Sequence, residues 1–401
     1  MPASIDSRFS RCPALEMEAT IGMGRGVVHI EESECWYLQG AAVKRIGILT
    51  AGGDCPGLNA VIRVVGKAAH QGGLEVVGVE DGYLGLCEGR MRVLGPEDLS
   101  GILTRGGTIL GSNNKTDPAA CRVREGDRVV VKDLRDEIVA RCRDMGIEVM
   151  VVIGGDGTMA GAASLCQRGL PIVGVPKTID NDLWSTDITF GHDTAVTTAA
   201  EALDKVHDTA SAHHRVLVVE LMGRHAGWIA LSAGVASGAD VILIPEIPFR
   251  MEAVAEKCLQ RNAHGKRFTV ISVGEGAIPV GGQEFVDRVD PDSPDPIRLG
   301  GVGRFVAQEV ERLTGLEARS IVLGHVQRGG TPTPRDRMLA TEFGHHAFEL
   351  LQAGQWNRLV VQREGRTGSV PIEEVAGKVR TVPVDHPLIR AARGIGTSFG
   401  D

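Results

Sequence analysis

The chain has 401 residues, 43% of them hydrophobic and 23% charged, with a formal net charge of −8. That balance fits a globular protein of one large or two ordinary domains, and the acidic surplus argues against nucleic acid as a main partner. No apolar run approaches the roughly 20 residues needed to span a bilayer, so no membrane contact is expected.

Residues 1–42 mix Arg8, Arg11, Glu31, Glu32 and Trp36 without helical or strand periodicity, and lack the basic-then-apolar order of a signal peptide. They read as a disordered extension, and ordered sequence is expected from Val43. Val43–Thr50 is β-rich, Ala51–Asn59 is a glycine turn and Ala60–Ala69 has helical spacing. In that turn Gly52 and Gly53 permit tight backbone, Asp54 suits a helix cap and Pro56 suits a helix opening. A helix N-terminus there favours bound phosphate, although a plain capped turn uses the same residues.

Glu148–Ile153 is an apolar run that reads as a buried strand, and Gly154-Gly155-Asp156-Gly157-Thr158 follows it. A glycine-rich turn brings backbone N–H groups to phosphate, and Asp156 is a candidate Mg²⁺ carboxylate. Unrelated kinase groups, NAD kinases and diacylglycerol kinases among them, share the string. The next run, Pro171–Val175, leads into Pro176-Lys177-Thr178-Ile179-Asp180-Asn181-Asp182. Asp180 has the chemistry of a general base on an acceptor hydroxyl, with Asp182 to tune it or hold metal through water. An Asx-rich turn is the other reading of those residues. Three carboxylates around one crevice, outside the carboxyl ends of parallel strands, suit phosphoryl transfer to a hydroxyl.

Three further strand-like runs end in polar clusters. Arg215–Val219 precedes Met222-Gly223-Arg224, Phe268–Val273 precedes Gly274-Glu275-Gly276, and Ser320–Leu323 precedes Gly324-His325-Val326-Gln327-Arg328. Recurrent strand, glycine turn and helix predict an α/β fold with parallel strands and helices on both faces. Arg215, Arg224, Arg319 and Arg328 fall at or near strand ends, where guanidinium forks suit phosphate; each alone reads more readily as a surface ion pair, and only the set of four beside turn motifs points to phosphate. Val289–Gly303, dense in proline and aspartate, is expected to be an exposed loop, with a helix restarting at Val306, Val310 and Leu313. Cys12, Cys35, Cys55, Cys87, Cys121, Cys142, Cys166 and Cys258 include no CxxC pair and read as free thiols of a reducing cytosol.

Taken together, in this order, the motifs resemble 6-phosphofructokinase over about residues 44–401. The matching pieces include Gly47–Asp54, Asp81-Gly82-Tyr83-Leu84-Gly85-Leu86, Arg105–Ser112, Gly154–Thr158, Pro176–Asp182, Met222-Gly223-Arg224 and His325–Gly330. The resemblance implies two doubly wound parallel-type α/β domains with the active site in the cleft between them. Residues 43–191 plus about 327–377 would bind nucleotide, and 192–326 plus about 378–401 would bind sugar phosphate. It further implies ATP-dependent phosphorylation of the 1-hydroxyl of fructose 6-phosphate, with Mg²⁺, by a cytoplasmic homotetramer or at least a homodimer.

Carried over by position, Asp180 is the base, with Thr178 and Arg224 beside the reaction. Gly53, Tyr83, Asn114, Lys115, Gly154, Gly155, Asp156, Gly157 and Thr158 serve the nucleotide, Asp156 also holding metal. Ile179, Met222, Gly223, Glu275, His325, Val326, Gln327 and Arg328 meet the sugar, while Arg215 and Arg319 reach its 6-phosphate across a subunit boundary. Many ATP-using members carry an arginine where this chain has Asn113-Asn114-Lys115, so Lys115 stands in for that charge. Arg63, Lys67 and Lys266 match basic positions of the bacterial effector pocket, whereas Pro96, His207 and His264 do not, so a weak effector response is expected. Lys177 resembles the pyrophosphate-using branch and Gly157 the ATP-using one, and ATP is the expected donor. The alternatives are a pyrophosphate-dependent phosphofructokinase and a catalytically silent sugar-phosphate-binding subunit. The second would have lost Asp156 or Asp180, and both are present.

Overall fold

Two sheets organise the chain in a computed structural model that describes residues 43–126, 128–290 and 296–401. The expected disorder of residues 1–42, with Cys12 and Cys35, and the Pro291–Asp295 part of the expected loop lie outside those residues. In chain order the first half runs β1 (Arg45–Thr50), α1 (Leu58–Gln71), β2 (Glu75–Val79), α2 (Tyr83–Glu88) and β3 (Met91–Val93). A hairpin of β4 (Cys121–Glu125) and β5 (Arg128–Lys132) follows, then α3 (Arg135–Asp144), β6 (Val149–Gly154), α4 (Asp156–Cys166) and β7 (Ile172–Pro176). The second half begins with α5 (His192–His213), β8 (Val216–Leu221), α6 (Trp228–Ala236), β9 (Val241–Leu243), α7 (Met251–Ala263) and β10 (Thr269–Gly274). It continues through β11 (Val286–Val289), β12 (Ile297–Leu299), α8 (Val302–Thr314) and β13 (Ala318–Val322). After a 3₁₀ turn at Gly324–Arg328 come α9 (Pro334–Gln352), β14 (Arg358–Arg363), β15 (Arg366–Pro371) and α10 (Pro387–Gly394).

The first sheet has the order β15-β14-β7-β6-β1-β2-β3, and the second β13-β8-β10-β9. Every pairing of the second sheet is parallel, as are the central ones of the first; β3 and β15 close the first sheet antiparallel. Central strands such as β6, VMVVIG, are buried along their whole length, which is what a parallel strand covered on both faces requires. One core, containing Val61, Val151, Phe343, Leu203 and Ile229, lies against a face of each sheet. Separate clusters fill the outer faces, around Ile138 and Met159 on the first sheet and around Val254 and Val306 on the second. Helices therefore cover both faces of both sheets, and the carboxyl ends of β1, β6, β7, β8 and β10 carry the polar turns.

Two expectations need correction. The stretch expected to be loop throughout is partly strand: Val289 ends β11 and Ile297–Leu299 forms β12, because their backbones pair antiparallel, with Val289 opposite Ile297 and Val286 opposite Leu299. The cysteines are not all free. Cys87 and Cys121 are joined as a disulfide, and Cys55, Cys142, Cys166 and Cys258 are free. The pair is separated by 34 residues and has no local signature; tertiary folding brings the end of α2 beside the start of β4. Among the described residues no helix is long and apolar enough to cross a membrane.

Candidate active site

The turn after β1 and the turn after β6 meet at their glycines. Gly52 takes a φ of +81°, and a Cβ there would lie 3.1 Å from Thr158 Oγ1 and 3.4 Å from Lys177 Nζ. Lys177, which is buried, donates its ammonium to the Gly53 carbonyl, and burial pushes its pKa down. A Cβ on Gly53 would meet Arg328 Nη1 at 2.5 Å, and that guanidinium donates to the Asp54 carbonyl at 3.1 Å. Gly155 precedes α4, so Asp156, Gly157 and Thr158 form its first turn, where free N–H groups favour an anion. Nothing lies within 4 Å of the point where a Gly157 Cβ would sit, so that turn is open. Tyr83 is buried beneath the turn and donates its hydroxyl to the Thr158 carbonyl at 2.6 Å, which positions α4 from below. Beside the same glycines runs the Gly111–Lys115 turn: Gly52 N donates to Asn113 O at 3.1 Å and Ser112 Oγ to Gly52 O at 2.6 Å.

After β7 the chain carries Thr178, Asp180 and Asp182, all buried. The Asp180 N–H donates to Thr178 Oγ1 at 3.1 Å, while Asp180 Oδ1 has no hydrogen-bond partner within the protein. A buried carboxylate oxygen without a donor is costly, and such a group is expected to find its partner in a ligand. Burial, then the charges of Asp180 and Asp156, push Asp182 up to about 7. Asp180 is felt on both sides of the crevice, since it raises Glu275 after β10 and favours the charged form of Lys177 after β7. Burial is the largest cause of the Glu275 pKa of about 7, and Glu275 accepts the Arg224 N–H at 3.0 Å.

These carboxylates suit a hard cation. Among the described residues no group of three or more His, Cys, Asp or Glu side chains is spaced to hold a metal alone. Mg²⁺ ordinarily takes one or two carboxylates and completes its shell with water and substrate phosphates, and the Asp156 carboxylate, on the open first turn of α4, fits that pattern.

Met222, Gly223 and Arg224 follow β8, and Arg224 is held at a φ of +52°. His325 and Val326 are exposed on the 3₁₀ turn, whereas Gln327 is buried and donates to Gly324 O at 3.1 Å. Ile179 is buried and contributes its carbonyl, which meets His192 Nδ1 at 2.7 Å. The four arginines separate into two pairs. Arg224 and Arg328 stand at the crevice, but Arg215 precedes β8 and Arg319 lies near the start of β13, at the amino ends of the strands. There Arg215 pairs with Glu317 at 2.9 Å and Arg319 with Glu317 at 2.8 Å. Within one chain the structure does not bring them to Asp180. Asn114 and Lys115 lie on the turn bonded to Gly52, the Lys115 N–H donating to Asn113 Oδ1 at 2.8 Å.

Several supporting residues carry no sequence signal. Arg380 donates its backbone N–H to Asp182 O at 2.7 Å and its guanidinium to Asn181 O at 2.9 Å, and it stacks over Trp228 at 4.1 Å. It thus clamps the Asp180–Asp182 segment from about 200 residues away. Thr189 holds the same segment through Thr178 O at 2.7 Å and Asn181 Oδ1 at 3.0 Å. These contacts are set by tertiary folding alone.

The phosphofructokinase family model matches residues 45–351. The ATP-dependent 6-phosphofructokinase of Spirochaeta thermophila is 47% identical over 365 residues, which is 90% of this chain and 98% of that protein. Among solved structures, phosphofructokinase from Saccharomyces cerevisiae superposes with a TM-score of 0.68 at 31% identity, over 88% of this chain and 46% of that one. A pyrophosphate-dependent phosphofructokinase from Nitrosospira multiformis shares the fold at a TM-score of 0.74 but only 22% identity, over 90% and 93% of the two chains. With the family model matching three quarters of the sequence and the Spirochaeta thermophila relative covered almost end to end, the chain belongs to the phosphofructokinase family of kinases, which transfer a phosphoryl group to a hydroxyl.

Proposed function

We propose that this chain is an ATP-dependent 6-phosphofructokinase, moving the γ-phosphoryl group of ATP to the 1-hydroxyl of fructose 6-phosphate in glycolysis. The observation that carries the reading is Asp180 Oδ1, a buried carboxylate oxygen with no partner in the protein, between Lys177 and Glu275. Asp180 accepts the proton of the 1-hydroxyl as that oxygen attacks, and Thr178, bonded to its N–H, fixes the loop. Gly53 and the Gly154–Thr158 turn cradle the donor phosphates with backbone N–H groups, and Asn114 and Lys115 border them. Arg224 and Arg328 offset negative charge on the reacting groups; Met222, Gly223, Glu275 and His325 orient the sugar. Mg²⁺, when bound, neutralises charge on the donor phosphates, and Asp156 is the residue that would hold it.

The division into a nucleotide domain (43–191 plus about 327–377) and a sugar-phosphate domain (192–326 plus about 378–401) is supported by the membership of the two sheets. A cytoplasmic homotetramer, or at minimum a homodimer, is supported by Arg215 and Arg319. They stand at the amino ends of their strands, away from their own Asp180, where each pairs with Glu317, and a neighbour's sugar phosphate would compete for them. One observation favours a pyrophosphate donor, the buried Lys177 ammonium beside Gly53. The open space at Gly157 weighs more heavily for ATP, because a nucleotide needs room there.

The test is formation of fructose 1,6-bisphosphate from ATP by the purified full chain and by Asp180→Asn. The variant is expected to lose about 10²–10⁴-fold in kcat with fructose 6-phosphate binding retained. No turnover by wild type, with sugar phosphate still bound, would favour a silent regulatory subunit.

A further inference from the structure

The Lys115 ammonium is already engaged. Its Nζ lies 3.0 Å from Asp290 Oδ2, and the two side chains are 51% and 19% exposed. They come from distant parts of the chain. Lys115 closes the turn bonded to Gly52 through Asn113 O and Ser112 Oγ, so it belongs to the donor side. Asp290 follows β11, and its N–H donates to Pro296 O at 2.7 Å across the hairpin. The base of that hairpin is pinned by Glu220, a buried carboxylate of β8 that accepts Gly301 N at 3.0 Å and Gly303 N at 2.8 Å. Arg298 stands 3.7 Å from the same Asp290 oxygen. Asp290 is therefore held by its backbone, and Lys115, on a flexible four-carbon stem, is the member of the pair that can move.

We infer that Asp290 is a counter-charge that competes with the donor's phosphates for Lys115 and thereby sets donor affinity. This rests on the reading of Lys115 as a donor contact given above. A polyphosphate and the Asp290 carboxylate attract the same compact ammonium, and taking Lys115 from one to the other exchanges an ion pair for an ion pair. Donor binding is weakened by whatever the Asp290 pair contributes, which for a partly exposed pair corresponds to a factor of about two to five. The sign is informative. Removing Asp290 tightens donor binding, an effect that mere loss of structural support does not produce.

Calorimetric titration of the non-hydrolysable ATP analogue AMP-PNP, with Mg²⁺, into the full-length protein tests this in wild type, Asp290→Asn, Asp290→Glu, Lys115→Met and the Asp290→Asn/Lys115→Met double variant. Thermal melts confirm that each is folded. Asp290→Asn should lower Kd about two- to fivefold, Asp290→Glu should keep the wild-type value, and Lys115→Met should raise Kd. The double variant should match Lys115→Met alone, because the carboxylate acts only through that lysine. If Lys115→Met leaves Kd unchanged, Lys115 is not a donor contact, and the inference falls with that reading. If Lys115→Met weakens binding but Asp290→Asn does not tighten it, or tightens it equally in the Lys115→Met background, the reading stands and the competition is refuted.

Discussion

At the scale of single residues, the proposed mechanism asks different things of Asp180 and Gly157: a charge of the first and the lack of a side chain of the second. Since nothing lies within 4 Å of the Gly157 Cβ position, Gly157→Asp will fold, but it sets a carboxylate on the first turn of α4, where phosphate is to bind. Like charge at that point should lower kcat/KM for ATP by about 10²-fold or more, since a few kcal/mol separates attraction from repulsion at short range. A variant within a few-fold of wild type would remove the α4 turn from the donor site. Glu275 gives a prediction from pH. Its pKa of about 7, raised chiefly by burial, means that the folded chain binds its proton more tightly than the unfolded chain does. Stability of the ligand-free protein should therefore fall as pH rises from about 4.3 through about 7. Glu275→Gln should lack that loss and be more stable than wild type by about 2 kcal/mol at pH 8, with little difference near pH 4. Melting curves at the two pH values decide it; equal Tm for both proteins at pH 8 contradicts the account.

At the scale of elements, the amino ends of α5 and α9 are bonded to each other. Asp336, fully buried, accepts Thr194 N at 2.8 Å and Thr194 Oγ1 at 2.6 Å, and Thr333 Oγ1 donates to Asp193 Oδ2 at 2.7 Å. Asp336→Ala leaves buried donors without an acceptor and should cost about 2 kcal/mol, read as a lowered Tm, while Asp336→Asn should cost less. An unchanged Tm for the alanine variant would show the junction to be incidental. Strands and their glycine turns were the legible part of the fold, because a parallel strand buried on both faces has to be a continuous apolar run. The run before Gly154 needs only a one-residue adjustment to become β6. The run Ser320–Leu323 begins two residues late and ends one late, because β13 is a partly exposed edge strand that opens on Ala318-Arg319 and carries a weak apolar signal. In the site, Asp180 and Gly154–Thr158 announce themselves through local composition. Arg380, Thr189 and the Cys87–Cys121 pairing do not, since each acts on a segment that only tertiary folding brings near.

For the whole molecule, Arg215 and Arg319, at the amino ends of their strands, are the test of the proposed assembly. If the 6-phosphate is held by a neighbour's arginines, an Asp180→Asn chain and an Arg215→Ala/Arg319→Ala chain, each nearly inactive alone, should complement when co-expressed. Random pairing in a two-fold assembly restores about a quarter of the wild-type sites. No recovery in a mixed oligomer isolated through two different tags would place both arginines outside the sugar site. Donor choice is the claim on which the rest depends, because Gly157, Lys115 and Asp290 are all read as parts of a nucleotide site. The most direct measurement is kcat/KM of the purified full-length protein with saturating fructose 6-phosphate and either ATP or pyrophosphate as the varied donor. The account predicts turnover with ATP and a kcat/KM for pyrophosphate lower by about 10²-fold or more, as expected when a site shaped for one donor leaves polar groups unpaired with another. Equal or better use of pyrophosphate would contradict it.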